Sequence, residues 1–515
     1  MRIFAAVFLS LLFLHGKGQF QNVLISDLEE PEEPSICINP LNPDQIVAGS
    51  NLNSMYYSHD GGISWTRQTL VSTYGVWGDP CIVVDSSGAF YYLHLSNPIQ
   101  GEWIDRIVVQ KSADGGFTWN DGSYIYLNEG KQQDKEWAAV DFSNNNLYVC
   151  WTQFDNYGSS FPGDSTLILF ARSTNGGQNW DEVKRISQTG GDCIDDDNTV
   201  EGAVPAVGPE GQIYTAWSGP LGIMFDRSFD YGQTWLEDDI FVADQPGGWS
   251  FDIPGISRCN GMPVTICDTS HGPYRGTVYV NWSDQRNGIN NTDIWISKST
   301  DQGQTWSPPL KVNNDITATH QFFTWATIDQ TNGNIYVVFY DRRHYSDKKT
   351  DVYLAISRNG GESFENIKIS QSPFDPESYV FFGDYTNISA HNNMVRPIWA
   401  RLDNTDLSLW TALVQINSSG VPERTENLFV VEDTYPNPVD DLVHFPFKLR
   451  RPDMVSLRVL DLMGQERISV FQNCKMEAGR YVVPIHTAIG NLNSGLYYFD
   501  LQTSMGRVVK KFLVE

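Results

Sequence analysis

One octapeptide recurs six times in this sequence of 515 residues, each time beginning with Ser and ending with an aromatic residue. The copies begin at positions 58, 112, 173, 228, 299 and 357, and they read S-H-D-G-G-I-S-W, S-A-D-G-G-F-T-W, S-T-N-G-G-Q-N-W, S-F-D-Y-G-Q-T-W, S-T-D-Q-G-Q-T-W and S-R-N-G-G-E-S-F. Successive copies start 54, 61, 55, 71 and 58 residues apart. A period of this length predicts one supersecondary unit repeated around an array.

Each copy has the chemistry of a tight turn. The Asp or Asn at the third position can accept hydrogen bonds from backbone N–H groups of its own turn, and the Gly at the fifth supplies a positive φ. The octapeptides resemble the Asp-box, or bacterial neuraminidase repeat, which lies on a hairpin turn of β-propeller blades. The resemblance implies an all-β propeller with the boxes on its outer rim, away from the functional site. The structural box residues are then Asp60, Asp114, Asn175, Asp230, Asp301 and Asn359.

The strand pattern around the boxes predicts the number of blades. Short β-branched and aromatic segments precede every box, and evenly spaced strands of this kind are typical of a propeller. Residues 384–390, 395–400 and 407–414 read as three strands of a further blade without a box, and residues 22–26 can supply its fourth strand. This predicts seven blades. A decorated ring of six, the number found in sialidases, is the alternative.

The two ends of the chain indicate export. Residues 1–18 read as a secretory signal, because Arg2 precedes a mostly apolar stretch over 3–14 that is too short to span a bilayer. The period stops near residue 433, and the tail then contains Y-P-N-P, D-L-M-G-Q, S-G-L-Y-Y and a basic last strand. This tail resembles the C-terminal sorting domain of type IX secretion. We therefore predict a propeller over 19–432 and a small β-sandwich over 433–515. The type IX secretion machinery is the implied partner, and the location is the medium or the cell surface, with no membrane span.

The net charge of the chain narrows the classes of ligand that it can bind. The formal net charge is −27, and loss of Arg2 and Lys17 with the signal would make it −29. Such a surface disfavours nucleic acid as a partner.

Of the seven cysteines, Cys259 and Cys267 flank a short turn and could close a local disulfide in an oxidising compartment.

The box resemblance also raises the question of sialidase chemistry. Sialidases hold the substrate carboxylate with three arginines, because a guanidinium matches a carboxylate bidentately, and they use a Tyr nucleophile paired with a Glu. Here no Arg or Lys occurs from Gln19 to Trp65, so the first-strand arginine of that family is missing. Tyr385 is the nearest match to the nucleophile, with Glu201 or Glu136 as its partner.

Four other arginines end predicted strands and are candidate ligand contacts: Arg286, Arg342, Arg343 and Arg401. Asp284 and Asp341 lie two residues before Arg286 and Arg343, on the same side of a strand, so a local ion pair is the alternative interpretation.

An acidic loop supplies oxygen ligands for Ca²⁺ in Asp192, Asp195, Asp196 and Asp197. It lacks the regular spacing of an EF-hand, and a solvated loop is the alternative.

Two functional hypotheses follow. The first is an exported binding or scaffold propeller for glycans or extracellular protein. The second is a sialidase-type glycoside hydrolase, or a lyase, that uses the central funnel. A cluster of converging guanidinium groups would distinguish them, and its missing first member favours the non-enzymatic hypothesis.

Overall fold

The computed structural model describes residues 20–416, 429–431, 434–449, 452–462, 464–490, 492–503 and 506–515. The predicted signal, residues 1–18, and the predicted boundary at 432–433 lie outside these ranges. Contacts divide the chain into two units, Met1–Ser418 and Ser419–Glu515, each described here by itself. None of the helical segments in the described ranges is long and apolar enough to cross a membrane.

The first unit consists of short antiparallel strands. In chain order they are β1 Asn22–Ser26, β2 Ser35–Ile38, β3 Ile46–Ser50, β4 Ser54–Ser58, β5 Thr66–Thr69, β6 Cys81–Val84, β7 Phe90–Leu95, β8 Ile107–Ser112, β9 Ser123–Ile125, β10 Gln132–Asp141, β11 Asn146–Phe154, β12 Thr166–Ser173, β13 Lys184–Arg185, β14 Glu201–Val207, β15 Ile213–Ser218, β16 Ile223–Ser228, β17 Ile240–Ala243, β18 Ser250–Phe251, β19 Cys259–Asn260, β20 Val264–Cys267, β21 Val278–Asp284, β22 Asp293–Ser299, β23 Leu310–Lys311, β24 Gln321–Asp329, β25 Asn334–Asp341, β26 Asp351–Ser357, β27 Glu365–Lys368, β28 Asn387–His391, β29 Met394–Asp403, β30 Asp406–Ala412 and β31 Val414–Gln415.

These strands form six sheets of four strands, one sheet of five strands and a separate pair, β18-β19. The seven larger sheets are numbered in chain order. Sheets 1 to 6 are β2–β5, β6–β9, β10–β13, β14–β17, β20–β23 and β24–β27. Sheet 7 has the order β28-β29-β30-β1, with the short β31 also paired to β29. The first strand of each sheet contacts the first strand of the next, and β28 contacts β2, so the sheets surround a central axis.

The ring closes through the N-terminal strand. Asn22 pairs with Ala412 and Leu24 with Trp410, which makes β1 the outer strand of sheet 7. This is the pairing that the sequence predicted for a blade without a box. The apolar residues of neighbouring sheets then pack between them, with Ile36 and Ile46 of sheet 1 in one cluster with Ile398 of sheet 7.

Each box occupies the turn between the third and fourth strands of its sheet and packs on the preceding sheet. In the fifth copy Ser299 Oγ accepts a hydrogen bond from Gly303 N (2.8 Å), and Asp301 Oδ1 accepts one from Thr305 N (2.9 Å). Gly303 has φ +83°, and a Cβ there would lie 2.3 Å from Phe225 Cε1 of sheet 4. Glycine is therefore required for conformation and for the close approach.

The second unit is a small β-sandwich. Its strands are β32 Phe429–Val431, β33 Leu442–Leu449, β34 Asp453–Leu460, β35 Glu466–Met476, β36 Gly479–His486, β37 Gly495–Thr503 and β38 Gly506–Val514, with one 3₁₀ turn at Thr487–Gly490. They form a three-stranded sheet, β32-β33-β36, and a four-stranded sheet, β35-β34-β37-β38. Phe445 and Phe447 of the first sheet share a core with Phe499 and Phe512 of the second.

The predicted disulfide is not formed. Cys259 and Cys267 are both buried and both free, and they lie on β19 and β20, which belong to different sheets. The remaining five cysteines are free as well.

Candidate functional site

The residues that face the axis lie close to the start of the innermost strands, either two or three residues before it or within the first four residues of the strand. One position from each sheet lies at this point, and the set in sheet order is Glu33, Asp79, Lys135, Gly202, Met262, Phe323 and Asp384. Several of them have left-handed backbone conformations, with φ of 52° at Glu33, 50° at Asp79 and 51° at Lys135. Bulges in β10, β14 and β24 interrupt the strand register at the same level. Bulges and left-handed residues redirect side chains and concentrate at functional sites.

Lys135 is the centre of this group. Its Nζ lies 2.9 Å from Asp384 Oδ2, 3.1 Å from Asp79 Oδ2 and 3.6 Å from Glu33 Oε1. All four side chains are buried. Although burial opposes the charged form, the carboxylates of Asp384, Asp79 and Glu33 raise the pKa of Lys135 well above its usual range. The ammonium group therefore joins sheet 3 to sheets 7, 1 and 2.

Arg258 is the second cation at the axis. It follows the turn between β18 and β19 and forms ion pairs with Asp384 and with Asp195, the latter at 2.9 Å. Its guanidinium lies 5.3 Å from the centroid of the Phe381 ring. Although burial opposes the charged form, Lys135 and Arg258 together lower the pKa of Asp384.

Several carboxyl groups nearby hold their protons more tightly than usual. Burial is the largest cause in every case. It raises the pKa of Glu32 to about 8, with a further contribution from Asp79, and it raises the pKa of Asp134 to about 8 against the Lys135 charge. Burial followed by the charge of Asp79 raises the pKa values of Glu33 and Glu136.

Glu201 has the same behaviour, since burial and then the Asp195 charge raise its pKa. The carboxyl oxygens of Glu136 and Glu201 accept no hydrogen bond from any residue in the described ranges. Two of the sequence candidates for acid–base chemistry are thus buried carboxyl groups that favour the protonated form.

Tyr385, the third candidate, packs between aromatic rings beside Lys135. Its ring centroid lies 5.1 Å from that of Trp137 and 6.1 Å from that of Trp325. The Tyr385 hydroxyl has no hydrogen-bond partner among the described residues, and burial raises its pKa well above the usual range. The cavity that these side chains line holds about 20 Å³, which is room for a single water molecule.

The four candidate arginines do not form a cluster at the axis. Arg286, Arg343 and Arg401 lie at or near the ends of strands in sheets 5, 6 and 7, and each is paired with an Asp two positions away in the chain. The spacing predicted this for Arg286 and Arg343. Each also lies over an aromatic ring of its own region, namely Trp295, Tyr353 and Phe374. Arg342 differs because it has no carboxylate partner in the described part of the chain.

The carboxylates of the acidic loop contact separate partners. Asp192 Oδ1 accepts from Thr199, Asp195 accepts from Tyr157 and Arg258, and Asp197 Oδ1 accepts from Ser250 N. Asp196 caps its own turn by accepting from Asp197 N. The search of the described residues finds no group of three or more side chains that could hold a metal ion. The structure gives the Ca²⁺ hypothesis no support at this loop, because its carboxylates are directed at separate partners, and the hypothesis stays a prediction.

Family models match two parts of the chain. Residues 56–67 match the BNR/Asp-box repeat, and residues 433–515 match the secretion system C-terminal sorting domain. The chain is an Asp-box β-propeller with a C-terminal sorting domain. The sorting domain implies handling by the type IX secretion system and export to the cell surface or the medium.

Several solved structures resemble the chain at low identity. A protein of unknown function from Dyadobacter fermentans is 13% identical, with 77% of this chain and 98% of that chain covered and a TM-score of 0.44. The NanB sialidase of Streptococcus pneumoniae is 11% identical, with coverage of 67% and 70% and a TM-score of 0.45. The α-L-arabinofuranosidase arb93a of Fusarium graminearum is 13% identical, with coverage of 77% and 98% and a TM-score of 0.44. A search of curated proteins gave no match.

Sequence reasoning missed the centre of the propeller. Lys135, Asp79, Glu33 and Asp384 carry no recognisable motif, and Arg258 lies in a loop. One signal was available, because E-P, D-P and M-P dipeptides precede three of the innermost strands, at positions 33–34, 79–80 and 262–263. An alignment on these dipeptides places Glu33, Asp79 and Met262 at equivalent positions in three of the blades.

Proposed function

We propose that this chain is an exported binding propeller for an extracellular glycan or protein, and that it does not hydrolyse sialosides at its axis. The observation that carries the proposal is the Lys135 side chain, whose ammonium group is already surrounded by Asp384, Asp79 and Glu33. A sialidase needs free guanidinium groups to bind the substrate carboxylate. In this propeller the cations at the axis, Lys135 and Arg258, already form ion pairs with the protein's own carboxyl groups.

The charge around the axis disfavours an anionic substrate. Two cations, Lys135 and Arg258, face eight carboxyl groups: Glu32, Glu33, Asp79, Asp134, Glu136, Asp195, Glu201 and Asp384. Raised pKa values keep part of this group neutral, so that the two cations are balanced internally. A substrate carboxylate would have to displace one of these contacts in a weakly screened environment.

The space at the axis also disfavours a sugar substrate. Ligand pockets for small molecules usually enclose several hundred Å³. The cavity beside Tyr385 and Lys135 holds about 20 Å³. A saccharide could reach the Tyr385 hydroxyl only after a rearrangement of the surrounding strands.

The end of the propeller opposite the boxes supports a binding role. The connections from second to third strands, and from each sheet to the next, meet at that end because the strands are antiparallel. Fourteen large apolar side chains are exposed there, against six in the connections at the box end. Contiguous exposed apolar surface marks interaction sites, so the end with more of these side chains is the better candidate. The fourteen are Leu28, Leu52, Val71, Ile99, Trp103, Tyr126, Leu127, Phe161, Ile194, Leu221, Ile289, Ile316, Tyr379 and Phe381.

A hydrolase is the second candidate, and one observation favours it. Glu136 and Glu201 have raised pKa values, and the nearby Tyr385 hydroxyl has no partner in the described ranges. Perturbed pKa values of this kind concentrate at catalytic sites. Against it, neither glutamate forms a hydrogen bond with Tyr385.

A sialoside assay tests the absence of catalysis. The full chain, Tyr385→Phe and Glu201→Gln are incubated with a fluorogenic sialoside, with an active sialidase as the positive control. We expect no release by the full chain above that of Tyr385→Phe. Turnover that is lost in Tyr385→Phe would contradict the proposal and favour the hydrolase.

A glycan and protein array tests the binding role. The end of the propeller opposite the boxes is called the loop end, and the other the box end. The full chain is compared with a double variant at the loop end, Ile316→Ser with Tyr379→Ser, and with a matched double variant at the box end, Phe117→Ser with Phe229→Ser. We expect the loop-end variant alone to lose binding at an unchanged melting temperature. Equal loss in both variants, or binding by neither parent nor variant, would contradict a binding role for the loop end.

A further inference from the structure

A cleft lies between the connections of sheets 5 and 6, outside the axial group. It has a volume of about 840 Å³, within the range of ordinary ligand pockets. Its lining includes Arg342, Arg343, His320, His344, Tyr345 and Lys348. This concentration of basic side chains contrasts with the net charge of −27 of the chain as a whole.

Arg342 is the unusual residue of the cleft. Its side chain is 2% exposed. Its Nε donates to Thr350 Oγ1 (3.0 Å) and its Nη1 to the Pro254 carbonyl oxygen (2.7 Å), while Nη2 has no partner in the described ranges. Both acceptors are neutral, so this buried guanidinium forms no ion pair in the described ranges, although the charges of Asp375 and Asp347 act on it. Buried charges in proteins are normally paired, because leaving one unpaired is costly.

The other charges of the cleft cancel. Arg343 forms an ion pair with Asp341 (2.6 Å), and Lys348 forms one with Glu377. Asp347 pairs with Lys349 at 2.8 Å. Arg342 is therefore the cation of this lining that forms no ion pair in the described ranges. Asp375, whose charge acts on Arg342, has a buried Oδ1 that accepts no hydrogen bond from the described residues.

The nearest titratable side chain does not change this balance. His320 contacts Thr292 Oγ1 through Nδ1 (3.0 Å), and burial followed by the Arg342 charge lowers its pKa to about 4. The imidazole is thus neutral at physiological pH, where it can form hydrogen bonds without adding charge. His344 and Tyr345 complete the polar lining on the same connection as Arg342.

We propose that this cleft binds a small organic monoanion through a carboxylate group, with Arg342 as its charge partner. A single carboxylate can accept a hydrogen bond from the unpartnered Nη2 of Arg342, and the volume suits a ligand the size of a sugar acid. The inference rests on the proposed binding role and adds a location and a ligand class to it. The site is distinct from the axial group, since Arg342 and Lys135 share no partner.

Calorimetric titration of the full chain with D-glucuronate, D-glucose and D-glucose 6-phosphate tests the inference. The three probes share a sugar ring and differ in charge. We expect glucuronate to bind at least about tenfold more tightly than glucose, which is the effect of one charge-assisted contact. We also expect it to bind more tightly than the phosphate, because a dianion would bring a second negative charge close to Asp347 and Asp375. Equal affinities for glucuronate and glucose, or a preference for the phosphate, would overturn the inference.

Variants locate the effect. Arg342→Gln should remove the preference for glucuronate, whereas Arg358→Gln, an exposed arginine of the same sheet paired with Glu365, should retain it. Because Arg342 is buried and its replacement can impair folding, Ala318→Trp provides a second variant that fills the cleft from its exposed edge. Glucuronate binding that survives Ala318→Trp would overturn the site. Sialoside turnover would contradict the proposed function and leave the anion preference of the cleft as measured, so the two failures are distinguishable.

Discussion

Replacement of Lys135 by Met tests whether the axial ion group stabilises the propeller. Met has a similar length and no charge, so the substitution removes the ammonium group with little change in volume. In the native protein Lys135 Nζ lies 2.9 Å from Asp384, 3.1 Å from Asp79 and 3.6 Å from Glu33. In the variant these three carboxyl groups face one another without the ammonium group. Removal of one partner from a buried ionic group costs about 3–5 kcal/mol, because the remaining charges stay desolvated. We expect a loss of that size at pH 8.

The loss should depend on pH in a defined direction. The abandoned carboxylates need a counter-charge only while they are ionised, and protonation relieves them. The destabilisation by Lys135→Met should therefore shrink as pH falls from about 8 to about 5. Lys131→Met is the matched control, since Lys131 pairs with Asp155 where the two side chains are 33% and 20% exposed. A partly exposed pair of this kind contributes about 0–1 kcal/mol.

Denaturant unfolding followed by tryptophan fluorescence measures both effects in the full chain. All 16 tryptophans precede residue 419, so the signal reports on the propeller and not on the sorting domain. If Lys135→Met cost no more than Lys131→Met, or if its cost were the same at pH 5 and pH 8, the axial group would not stabilise the fold as argued.

Three further predictions follow from the same geometry. Gly303→Ala should lower the free energy of unfolding by about 2–5 kcal/mol, because it combines a strained φ with a Cβ 2.3 Å from Phe225. Gly130→Ala, where φ is +77° and the Cβ meets open space, should lower it by about 1–2 kcal/mol. Equal melting temperatures of the two variants would refute the close approach. Glu32 binds its proton more tightly in the folded protein, so the stability that its protonated form contributes is fully present below about pH 4.5 and is lost as pH rises through about 8. Glu32→Gln should flatten this decline of the unfolding free energy with pH, as measured by denaturation at several pH values. An unchanged slope of unfolding free energy against pH would contradict the prediction. Deletion of residues 433–515 should abolish export, seen by immunoblotting of surface and medium fractions, and export of the truncated chain would assign sorting to another segment.

Much of the architecture was predictable because it depends on local chemistry. The box turns, the strands before them and the sorting domain each have a sequence pattern that follows from hydrogen bonding and side-chain alternation. The pairing of Asn22–Ser26 with the last strands was also predictable, since a sheet of three strands lacked a fourth.

The axial group was not predictable in the same way. Lys135, Asp79, Glu33 and Asp384 are separated by up to several hundred residues, and their contacts exist only after the ring has closed. The fate of the arginines was partly predictable: an Asp two positions away predicted the ion pairs of Arg286 and Arg343. Nothing in the sequence distinguished Arg342, whose partners are Thr350, at the far end of its own connection, and Pro254, from the connection between β18 and β19.

The closing strand β1 has a consequence for biogenesis. It is the first part of the propeller to be synthesised, yet its partner β30 ends at Ala412, almost at the end of the unit. A nascent chain can form several sheets in turn, but its N-terminal strand stays unpaired until nearly the whole propeller exists. The sorting domain follows directly after this point in the chain. Surface delivery is thereby coupled to synthesis of a complete ring, because an interrupted chain lacks both the last strands and the tail that would export it.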